Sequence, residues 1–110
     1  MVNKILTGAG FVLDETYRET RLLSPPQDQT YAVYHDSVEV RGADNLNLIK
    51  EHDVTIEVYE YRPDNETEKK IEAQFNASAI AYVKQERYFI QEEQLYQVIY
   101  EFNYIEKEEL

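Results

Sequence analysis

Cysteine is absent from this chain, so neither a disulfide framework nor a thiolate metal centre can form, and the redox compartment is left open. Glycine is nearly absent too. With only Gly8, Gly10 and Gly42, the sequence contains no GxGxxG, GxxxxGK[ST] or GxSxG pattern, which argues against a phosphate-cradling loop and a nucleotide-dependent enzyme. No run approaches the roughly 18 apolar residues of a membrane span, and residues 1–11 are too poor in apolar side chains for a signal peptide. A chain without a leader of its own, in the cytosol by default and without membrane association, is the expectation. Positive charge is scarce: Lys and Arg number 11 against 22 Asp and Glu, for a formal charge of -11. Binding nucleic acid by counterion release is thereby disfavoured.

What is present points to an ordered domain. At 110 residues the chain can build one core, and 43% hydrophobic with 13% aromatic content separates it from disordered acidic sequences. The clearest signal lies near the end. Period-two alternation over residues 95–105 places Tyr96, Val98, Tyr100, Phe102 and Tyr104 on one face of a strand, and residues 54–61 repeat the pattern with Val54, Ile56 and Val58. Glu57, Tyr59, Gln97, Glu101 and Asn103 fall on the reverse face. Between the two strands, Pro63, Asp64 and Asn65 open an amphipathic helix to about residue 77, with acidic residues at its positive end and Ile71, Gln74, Phe75 and Ser78 on one stripe.

Ahead of these, residues 2–9 predict a short helix with Ile5 and Leu6 inward, ended by the glycines. Residues 15–23 predict an arm or edge, broken at Pro25 and Pro26. Residues 29–40 form a strand, and the apolar phase switches from Tyr31 and Val33 to Val38 and Val40, which predicts a bulge or bend near Asp36. Turn chemistry at residues 41–45 leads into residues 47–52 as the return arm of a long hairpin. The fold class expected is α+β, two-layer, an antiparallel sheet with helices on one face in the order α-β-β-α-β-β. It forms a single domain over residues 1–110, with residues 1–28 as helix and arm and residues 105–110 as a frayed tail.

Candidate chemical sites are sparse. His35 and His52 have no metal-ligand spacing, and their sequence neighbours Asp36 and Asp53 point to the opposite strand face from each imidazole. A site there needs a carboxylate brought in by the fold. Glu86, Glu92 and Glu93 could act as acid and base or hold a divalent ion, although a solvated turn is the simpler reading. No catalytic residue, metal ligand or cofactor is predicted. The tyrosines fill cores by default, but aromatic residues on both sheet faces suit an interface as well.

Thr30, Tyr31, Ala32, Val33 and Tyr34, then Gly42, Ala43, Asp44 and Asn45 with the strand through Val58 and Tyr59, the helix through Phe75 and the closing strand around Tyr96 to Phe102 resemble the tail-terminator and head-tail joining proteins of long-tailed bacteriophages and prophages. The resemblance spans residues 28–107 and rests on length, element order and phrasing; residues 11–26 depart from it. It implies a non-enzymatic virion protein, in the host cytoplasm during assembly, that forms a homo-oligomeric ring, commonly of six subunits. Tail tube protein and head connector protein would be its partners. The expected subunit junctions are Tyr59, Tyr61, Arg41, Asp44, Asn45, Leu48 and Lys50. Glu57 and Glu101 would face the lumen, where negative charge lets DNA slide past. Two other readings fit the residues: an acidic DNA mimic or inhibitor of a host enzyme, and a small-molecule-binding or hydrolytic α+β domain with an apolar pocket by His35, His52 or Glu92.

Overall fold

The structure, a computed structural model, describes residues 1–42 and 47–109, with the backbone alone at 47, 108 and 109. It is an α+β fold. Helix α1 (Val2–Gly8) precedes β1 (Tyr17–Glu19), β2 (Tyr31–Gly42) and β3 (Asn47–Glu60); α2 (Asn65–Ala77) then leads to β4 (Val83–Lys84), β5 (Tyr88–Ile90) and β6 (Leu95–Glu109). The sheet runs β1-β2-β3-β6-β4, with β5 also paired to β6. Among these strands, every pairing is antiparallel except β1 with β2, so the sheet is mixed. The weak segment after α1 is thus a parallel edge strand, and the order gains a short strand on each side relative to the expectation.

Alternation decides which face is covered. Ala32, Val54, Ile56, Val58, Val98, Tyr100 and Phe102 all lie on one face and are buried against Ile5 and Leu6 of α1 and Ile71 and Phe75 of α2. Phe75 meets Tyr82 at 4.6 Å and Phe102 at 5.1 Å between ring centroids, packing that adds to simple area burial. The start of α2 is fixed by Asp64, whose carboxylate accepts from the Thr67 backbone N–H at 3.1 Å and from the Thr30 hydroxyl at 2.6 Å. On the opposite face, Leu22 of the arm covers Tyr31 and Leu95 beside Tyr59. Tyr31 and Tyr59 stack there at 5.2 Å.

Two expectations give way here. β2 pairs with β3 residue for residue from Tyr31↔Tyr59 to Gly42↔Leu48, leaving no bulge near Asp36. The apolar phase switches because the covering changes: Tyr31 and Val33 are buried on the arm side, while Val38 and Val40 lie on the helix side beyond the helices and are 44% and 55% exposed. Nor does the chain fray at residue 105, since β6 stays in register with β3 to Glu109↔Asn47. A ladder is held by backbone groups, so a charged sequence need not end it.

Candidate functional site

Element lengths create the most distinctive surface. The β3–β6 ladder from Asn47↔Glu109 to Glu60↔Tyr96 spans roughly 45 Å at about 3.4 Å per residue. The thirteen residues of α2 cover only about 20 Å of it at 1.5 Å each. The remainder projects as a three-stranded ribbon of β2, β3 and β6, which gives the molecule its 50 × 28 × 22 Å extents. Pairing of β1 with β2 ends at Tyr34, and pairing of β4 with β6 ends at Glu101. Among the described residues, both edges of the ribbon therefore lack a strand partner. Val38, Val40 and Ile105 are exposed there, Ile105 by 59%.

At the root of the ribbon, His52 is 7% exposed and joins all three strands. Its Nδ1 lies 2.9 Å from Asp36 Oδ2 on β2, its Nε2 lies 3.0 Å from Glu106 Oε1 on β6, and its ring stacks on Tyr104 at 4.3 Å. Burial works against the charged imidazole. Hydrogen bonds to Asp36 and Glu106, together with their charges, outweigh it and raise the His52 pKa above its ordinary value. The fold brings in the carboxylates that neighbouring residues could not supply, and the result is a cross-strand clamp. His35 lies on the opposite face, 3.5 Å from Glu57, so the two histidines share no site.

The outer face is polar as expected. Gln97 Nε2 donates to the Tyr59 hydroxyl at 3.1 Å, and that hydroxyl donates to Glu57 Oε1 at 2.7 Å. Burial, then the Glu57 bond, pushes the Tyr59 pKa upward, which makes it a poor acid at neutral pH. Glu101 is exposed and accepts from Gln85. Both carboxylates face away from the helices. Of the expected junction residues, Tyr59 is held within the subunit, Tyr61 is 37% exposed just past β3, and Arg41 pairs with Glu51. Leu48 and Lys50 are half-buried on the helix side of the ribbon; Asp44 and Asn45 lie outside the described residues. Glu86 is exposed in the loop before β5, and Glu92 and Glu93 are exposed in the turn after it.

A second charged cluster escaped the sequence reading. Glu60 is fully buried and Glu68 is 2% exposed beneath β4 and the loop after it, which carry Lys84 and Arg87 respectively. Arg87 Nη2 donates to Glu68 Oε2 at 2.8 Å, and Lys84 Nζ lies 2.9 Å from Glu68 Oε1 and 2.7 Å from Glu72 Oε2. Arg87 Nε is 3.3 Å from Glu60 Oε1 without hydrogen-bond alignment, and Glu60 Oε2 has no donor. Burial, reinforced by the neighbouring Glu68 carboxylate, raises the Glu60 pKa to about 8. The signal was legible: Glu60 continues the inward phase of Val54, Ile56 and Val58, and Glu68 precedes Ile71 and Phe75 at helical spacing. This network ties β4 and the loop after it to α2, with Glu68 paired to two cations.

Among the described residues, no group of three or more His, Cys, Asp or Glu side chains is arranged to hold a metal ion. No helix is long and apolar enough to cross a membrane. No protein-family model matches the chain, and no curated protein matches it.

Proposed function

We propose that this protein is an architectural subunit that assembles with copies of itself into a closed ring and completes the tail of a long-tailed bacteriophage or prophage. It acts there as a tail terminator or head-tail joining component, against the tube on one side and the connector on the other. The observation that carries the reading is the ribbon: a projection from a helix-covered core, with edges that lack a strand partner among the described residues and with exposed Val38, Val40 and Ile105. Monomeric proteins blunt long strand edges, because each is a template for pairing with another chain.

Charge supports the same reading. A net charge of -11 keeps free subunits apart and soluble, so assembly depends on a specific contact. Glu57 and Glu101 on the helix-free face suit a lumen through which a polyanion passes without binding. The histidines sit on opposite sheet faces and the buried acids are neutralised within the subunit, which favours a structural role over a catalytic one.

Negative-stain electron microscopy of the purified protein tests the proposal. Annular particles with a single rotational symmetry are expected. Solitary compact particles at every concentration would overturn it.

A further inference from the structure

We infer that the subunits join by continuing one sheet across the junction: the free edge of β2 at residues 35–41 in one copy pairs, in parallel, with the free edge of β6 at residues 103–109 in the next. The inference rests on the ring reading and names the contact that closes the ring.

Backbone direction defines both edges. Ala32 N–H donates to Thr16 O and Tyr34 O accepts from Thr20 N–H, so even-numbered residues of β2 point their backbone groups away from β3. With an unbroken register, Asp36, Val38 and Val40 present N–H and C=O groups to the open edge. On β6, Ile99 O accepts from Gln85 N–H, so odd-numbered residues point outward, and Asn103, Ile105 and Lys107 present theirs. Each edge is an alternating row of donors and acceptors that lacks a strand partner among the described residues.

Polarity and charge select the occupant. β2 and β6 are each antiparallel to β3 and so run parallel to one another within a subunit. A neighbouring copy related by rotation about the strand direction therefore brings its β2 alongside β6 in the same sense. This is a head-to-tail contact of two different edges, the kind that closes into a ring. Glu39 and Lys107 are both exposed on the outer face, and neither is ion-paired among the described residues. Placing Glu39 opposite Lys107 aligns the edges over their whole free length. In that register Lys107 N–H donates to Val38 O, Val40 N–H donates to Lys107 O, and Ile105 N–H donates to Asp36 O. Pairing the β2 edge with itself about Glu39 would instead oppose two glutamates.

Sedimentation velocity on the full chain tests the contact with two sets of variants. Val40→Pro and Ile105→Pro each remove an outward N–H and spare the β3 ladder, so each should keep the wild-type circular dichroism and shift the population to monomer, with association at least about tenfold weaker. Glu39→Lys and Lys107→Glu should each weaken association several-fold, and the double variant should restore it; this arm reads the same junction if a proline variant fails to fold. Folded proline variants that remain oligomeric, or a double variant no better than the singles, would overturn the edge contact and leave the ring reading standing. A wild-type chain that stays monomeric would overturn both.

Discussion

Glu60 is where residue chemistry and stability meet most sharply. A carboxyl whose folded pKa lies above its unfolded value contributes stability that is fully present below the unfolded value and lost as pH rises through the folded one. For Glu60 that window runs from the ordinary glutamate value of 4.5 to about 8. Glu60→Gln keeps a donor toward Glu68 and cannot ionise. Urea denaturation across a pH series is therefore expected to place it within ~1 kcal/mol of wild type in mildly acid solution and above wild type beyond the window. His52 also has a raised pKa, so its contribution is fully present below its ordinary value of 6.5 and fades as pH rises through the folded value. His52→Gln should cost about 1–2 kcal/mol below that value and progressively less above it, in the same experiment. Position in the sequence revealed that Glu57 and Glu101 face away from the helices, because a strand's period is two. It could not reveal the partners of His52, because Asp36 and Glu106 come from strands far apart in the chain and meet only through register.

At the scale of elements, α2 depends on one cap. Asp64 holds the first turn and ties it to Thr30, and its pKa is lowered: burial opposes this, but bonds from the Thr30 and Thr67 hydroxyls and the Thr67 backbone overcome it. Asp64→Ala is expected to cost about 1–2 kcal/mol in chemical denaturation, with amide exchange accelerating first in the opening turn of α2. Proline, acidic residues and an apolar stripe made that helix readable from sequence, and Gly8 and Gly10 did the same for the end of α1. The errors have one cause. Apolar phase reports what covers a strand, and in β2 the covering passes from the arm side to no covering at all, which imitates a bulge. The charged stretch after Tyr104 imitates a tail for the converse reason, since its ladder needs no buried side chains.

For the whole molecule, the decisive relation is between a ~45 Å sheet and a ~20 Å helix. Composition announced a single acidic α+β domain, and the hairpin was visible as two β-rich arms around a turn. The third strand of the ribbon was not, because its last residues look solvated, and so the free edges went unseen. Those edges shift the expected junction from Tyr59, which is engaged inside the subunit, to the backbone of β2 and β6. Burying such a strip adds apolar contacts worth ~25 cal/mol per Å² before the cost of association, so the proposed ring needs several identical junctions acting together. Native mass spectrometry of the purified wild-type chain measures this directly. One discrete multiple of the 13.1 kDa subunit is the predicted result, whereas 13.1 kDa ions alone, or an open ladder of multiples without a favoured end point, would contradict a closed ring.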